Sequence, residues 1–91
     1  MLFVIIGHDA PGSQEKRPLY REEHLAKLSE LEKQGKLFLA GPFTDVTGSL
    51  VIVDVESQEE AVQIAENDPY VIHGVFASFD IKPFKKVLPA S

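Results

Sequence analysis

The chain reads as a small α+β fold of the ferredoxin-like kind. Its elements follow the order βαββαβ, with a four-stranded antiparallel sheet carrying two helices on one face. Three observations predict this. Four short runs rich in Val, Ile, Leu and Phe are bounded by Gly, Pro and Asp. Two of the intervening segments carry helix punctuation at both ends. The connections are short, so consecutive elements can lie side by side.

Leu2 to Ile6 is an apolar run closed by Gly7 and reads as the first strand. Asp9-Ala10-Pro11-Gly12-Ser13 is a loop by its turn residues. Pro18 suits the first position of a helix, where its missing N–H costs nothing. Leu25, Leu28 and Leu31 give that helix an apolar stripe. Gly35, flanked by Lys33 and Lys36, reads as its C-terminal stop, with cations that suit the helix dipole. Leu37 to Ala40 is the second strand, ended by Gly41-Pro42, and Leu50 to Val55 is the third. Ser57-Gln58-Glu59-Glu60 is a capping box opening the second helix. That helix should stop near Asp68, because Pro69 disfavours helical geometry in the residue before it. Gly74 to Lys82 is the fourth strand.

The first three strands are continuous apolar runs, whereas a strand with one wet face should alternate. Two helices cover only one face of the sheet. Phe3, Ile5, Phe38, Val51, Val53 and Phe76 would then form a patch larger than a monomer normally exposes. A homodimer packed sheet on sheet is therefore expected, with higher oligomers left open.

The chain has 91 residues, enough for one domain spanning 1–91. Nine basic against fourteen acidic residues give a net charge of −5. That disfavours nucleic acid and anionic membrane surfaces as partners. There is no cysteine, which excludes disulfides, a thiolate nucleophile and a thiolate metal site. The apolar start is too short for a signal sequence or a membrane span. A cytoplasmic protein is expected.

Topology gathers the reactive side chains at the end of the sheet where the first strand finishes. His24 is the one titratable residue on an otherwise leucine-lined helix face, within roughly 40° of Leu28 and Leu31 at 100° per residue. Asp68 closes the buried side of the antiparallel neighbouring helix. An imidazole held at one nitrogen by a carboxylate has a fixed tautomer, leaving the other nitrogen to exchange a proton near neutral pH. The same pair could equally be a structural hydrogen bond that fixes helix packing. Arg21, one turn before His24, could hold an anionic or enolate-like oxygen, or be a solvated arginine paired with Asp9 or Asp45. Ser49, after Gly48, could donate a hydrogen bond into a pocket, or cap a strand. Tyr70 could be an acid, a pocket lid or a packing aromatic, and Gly41-Pro42 shapes a pocket wall. His8, Asp9, His24 and His73 match no metal-ligand spacing, so no metal is expected. No serine sits in a nucleophile-elbow motif.

Taken together, Arg21-Glu22-Glu23-His24-Leu25, Gly35-Lys36-Leu37, Ala40-Gly41-Pro42, Gly48-Ser49, Asp68-Pro69-Tyr70 and Lys82-Pro83-Phe84-Lys85-Lys86 resemble the YCII-related domain family along nearly the whole chain. The segment between the second and third strands is brief beside some relatives. The resemblance implies a dimeric α+β barrel of the ferredoxin-like type and a His–Asp dyad falling on His24 and Asp68. It also implies a cofactor-free chemistry, since a relative in chlorinated-aromatic degradation is a dehydrochlorinase of that kind. The expected function is an acid–base enzyme acting by elimination or isomerisation on a small, phenolic molecule. The alternative is a non-catalytic module of the same fold that binds a small molecule.

Overall fold

The computed structural model describes residues 1–90. Strand β1 spans Leu2–Asp9, followed by helix α1 (Ser13–Lys33), strands β2 (Leu37–Pro42) and β3 (Gly48–Asp54), helix α2 (Gln58–Glu66), a one-turn helix α3 (Pro69–Ile72) and strand β4 (Phe76–Phe84). The sheet order is β2-β3-β1-β4 and every pairing is antiparallel, which is the ferredoxin-like arrangement. Among the described residues, no helix is long and apolar enough to cross a membrane.

The pleat decides which side chains meet the helices. Phe3 pairs with Val53, Ile5 with Val51 and Gly7 with Ser49, and these residues share one face. Phe3, Ile5, Val51 and Val53 pack there with Val55, Ala61 and Ala65, joined by Leu28, Leu31, Leu37, Ile64, Phe79 and Ile81. The expected exposed patch is therefore corrected by one residue of register. Phe3, Ile5, Val51 and Val53 form the core, and Phe76 is buried against Tyr70 and Val75. The face away from the helices carries Leu2, Val4, Ile6, Leu50 and Ile52 instead. Phe38 is the extra residue of a β2 bulge and stands half-exposed.

Helix α1 begins five residues before Pro18, so Pro18 lies inside it. The ring removes the bond to the Gln14 carbonyl, a loss confined to one exposed turn near the N-terminus. The C-terminus matches expectation. Gly35 adopts φ 73°, and the N–H groups of Gly35 and Lys36 donate to Glu32 and Leu31, satisfying two terminal carbonyls. Leu25, expected in the buried stripe, is 50% exposed.

Ser57 caps α2 by accepting the Glu60 N–H at 3.2 Å. The reciprocal half of the box is absent among the described bonds. The Glu60 carboxylate is taken by Lys36 at 2.9 Å, which holds it below the ordinary carboxylate range. Both edge strands contain proline, Pro42 in β2 and Pro83 in β4, where a missing ladder donor is tolerated.

Candidate functional site

Asp68 does not end α2; Asn67 does. Asp68 is extended, at φ −70° and ψ 126°, as a residue before proline prefers, and it is the N-cap of α3. Its side chain therefore meets the positive end of α3 and not the negative end of α2. Oδ1 accepts the Tyr70 N–H at 2.9 Å and lies 2.7 Å from His24 Nδ1. His24 sits midway along α1, a consequence of the earlier helix start, and is 7% exposed. Its ring stacks on Tyr70, with centroids 3.9 Å apart and planes within 5°. Tyr70 in turn meets Phe76 edge-on at 5.4 Å. The imidazole is thus fixed by one hydrogen bond and one aromatic face.

His24 Nε2 has no partner among the described residues. No buried side-chain nitrogen or oxygen in the described structure is left without one. Nε2 must therefore reach open space. The space it reaches is a cavity of about 500 Å³ between α1, β2, the β2–β3 turn and the start of β3. Arg21, Ser49, Tyr70, Gly41 and Pro42 line the same cavity, so six of the seven residues singled out from sequence converge there. Asp68 stands behind the imidazole and borders a separate, larger groove between α1 and α2. Leu25, Leu28, Val51, Phe43 and Val46 supply apolar walls. Arg21 has no carboxylate partner among the described residues. Asp45, one candidate partner, accepts from Thr47 instead.

The other candidate, Asp9, belongs to Arg17, a residue that sequence reasoning did not single out. Asp9 closes β1 past a bulge that brings it opposite Phe76. Arg17 grips it with two N–H groups, at 2.8 and 3.2 Å, and Ser13 donates a third bond at 2.9 Å. The same guanidinium reaches Ser49 Oγ at 3.2 Å and lies over the rings of Tyr70 and Phe76, at 5.3 and 5.7 Å. Arg17, Arg21, His24 and Leu28 recur at helical spacing on one face, but placing the helix start at Pro18 put Arg17 outside it. Burial pushes the Tyr70 phenol above its ordinary value of 10.0, and the nearby Arg17 and Arg21 charges only partly offset it.

Glycine is required at two neighbouring positions of the β1–β3 ladder. A Cβ on Gly48 would overlap the Gly7 carbonyl, and one on Gly7 would strike the Phe76 ring. The bare Gly7 leaves room for the Phe76 ring. The three histidines do not converge. His8 bonds Asp80 at 2.8 Å on the far sheet face, and His73 stacks on Tyr20 at 3.9 Å, near Glu23. Among the described residues, no three His, Asp or Glu side chains are grouped to hold a metal ion.

Residues 1–85 match the model of the YCII-related domain, and the chain belongs to that family. It is 44% identical to Protein YciI of Escherichia coli O6:H1, over 96% of this chain and 99% of that one. It is 41% identical to an uncharacterized protein of Haemophilus influenzae, over the same shares. Among solved structures it is similar to the 5-chloro-2-hydroxyhydroquinone dehydrochlorinase TftG of Burkholderia phenoliruptrix, in complex with 2,5-dihydroxybenzoquinone. The TM-score is 0.83 and the identity 35%, covering 93% of this chain and 94% of that one.

Proposed function

We propose that the chain is an acid–base enzyme of the elimination or isomerisation type, acting on a small, oxygen-bearing, phenol-like molecule. The observation that carries this reading is the division of labour at His24: Nδ1 is held by Asp68, and Nε2 opens onto the cavity. With Asp68 ionised, Nδ1 carries the hydrogen and Nε2 carries the lone pair. Nε2 takes a proton from the substrate. The electron pair released moves into the ring, and either a leaving group departs with its bonding electrons or the proton returns at a second carbon. Asp68 stabilises the imidazolium formed in between. Arg21 offers an uncompensated positive charge to the oxygen on which negative charge develops. Ser49 and Tyr70 bind and orient, and Gly41-Pro42 forms part of the cavity wall. The likeness to a dehydrochlorinase supports the same reaction class, and that protein's aromatic ligand supports the substrate class.

The reading includes a second copy of the chain on the open sheet face. Leu2, Val4, Ile6, Leu50 and Ile52 form an apolar surface there that no helix of the same chain covers.

The test is a panel of small chlorinated and hydroxylated aromatics, beginning with 5-chloro-2-hydroxyhydroquinone, followed by chloride release and ultraviolet absorbance. At least one compound should turn over. His24→Ala should lower that rate by about 10²–10⁴-fold with the thermal transition retained. An unchanged rate in that variant removes the acid–base reading. Compounds that bind but never react favour the binding-module alternative.

A further inference from the structure

Ser49 is 4% exposed, lines the cavity, and is the one serine among the described residues whose hydroxyl is bonded to a guanidinium. A guanidinium has donors and no acceptor, so Ser49 Oγ accepts in this bond. One of its two lone pairs is then taken by a cation. No described residue supplies an acceptor for the Ser49 hydroxyl proton. The group that Ser49 has to offer the cavity is therefore that proton, aimed by the guanidinium N–H bonded behind it. Arg17 is itself immobilised. Asp9 holds it through two bonds, Ser13 fixes Asp9 from the other side, and the rings of Tyr70 and Phe76 lie against the guanidinium.

We propose that Arg17 is a positioning residue that sets Ser49 as a hydrogen-bond donor to a lone-pair oxygen of the substrate, a carbonyl or a phenolate. This deepens the acid–base reading and rests on it for the identity of the cavity. Proton abstraction by His24 Nε2 builds negative charge on a substrate oxygen, and a preset donor stabilises that charge without reorganising. Asp9 cancels the formal charge of Arg17, so the cavity gains a directed hydrogen bond from it while Arg21 remains the free cation.

A double-mutant cycle tests the proposal, with 2,5-dihydroxybenzoquinone as probe ligand and calorimetric affinity as readout. Ser49→Ala and Arg17→Met should each weaken binding about tenfold. The double variant should bind no more weakly than Ser49→Ala alone, because Arg17 acts through the hydroxyl. Ser49→Thr, which restores the hydroxyl, should recover most of the affinity. Should Arg17→Met fail to fold, Arg17→Lys serves in its place, since an ammonium cannot span Asp9 and Ser49 as the planar fork does. Additive losses would mean that Arg17 touches the ligand itself and would overturn the positioning role. Unchanged affinity in Ser49→Ala, or no binding of the quinone by the unaltered protein, would overturn the proposal as well. Turnover by His24→Ala is measured separately, so the acid–base reading and the Arg17–Ser49 relation can fail independently.

Discussion

At Asp68 a single carboxylate oxygen accepts the Tyr70 amide N–H and meets the His24 ring at Nδ1. Sequence placed this residue beside His24 as the last of α2, whereas it stands one residue beyond that helix's C-cap and opens the next. Pro69 does end α2, and it also starts a new helix turn, which converts Asp68 from a poorly tolerated terminal acid into a favoured N-cap. The consequence is that the orientation of the imidazole and the start of α3 depend on one side chain. Tyr70, the next polar residue along, gives a pH dependence. Its phenol is pushed above 10.0 mainly by burial, so the folded state holds that proton more tightly than the unfolded chain does. The associated stability is present below the unfolded value and is lost as pH rises through the folded one. Denaturant melts at about pH 9 and about pH 12 should show a smaller alkaline loss in Tyr70→Phe than in the unaltered protein. At neutral pH the substitution should cost no more than about 1 kcal/mol, because the phenol's bond to the Arg17 carbonyl is long, at 3.4 Å. Equal alkaline losses in the two proteins would show that Tyr70 does not contribute.

Element order was legible because punctuation carries it. Gly35 stops α1, Ser57 starts α2 and Pro69 separates α2 from α3. Two features were hidden for physical reasons. Period-2 patterning fails in an all-apolar strand, so nothing in Leu2–Ile6 tells which alternate set faces the helices. The core proved to be Phe3 and Ile5, and the open face Leu2, Val4 and Ile6. The start of α1 was obscured by Pro18, whose preference for a first turn suggests a boundary that tertiary contacts override. Asp9 and Ser13 anchor the extra turn, and the five residues it adds carry Arg17 over the cavity. The cavity residues read from sequence were those whose helix or strand position was already fixed by neighbouring punctuation. Arg17 lay just beyond the boundary and went unseen.

For the whole molecule, the open sheet face and the cavity are separate surfaces of one thin layer. The helices cover one face, and the reactive side chains lie between them and the sheet end. The second copy proposed on the other face would cover Val4, Ile6 and Ile52 without touching His24. Ile52, already only 8% exposed between its strand neighbours, lies at the centre of that patch. Sedimentation should find a dimer that Ile52→Asp converts to a monomer, since an unpaired carboxylate in a buried apolar interface costs several kcal/mol, about 3–5. A monomeric unaltered protein would contradict this. The acid–base account depends more narrowly on which ring nitrogen of His24 is free. Its nitrogen-15 shifts at about pH 8 decide this without any substrate. The account requires a protonated Nδ1 and a bare Nε2, with that preference weakened in Asp68→Asn. A hydrogen residing on Nε2 in the unaltered protein would leave the cavity without a base.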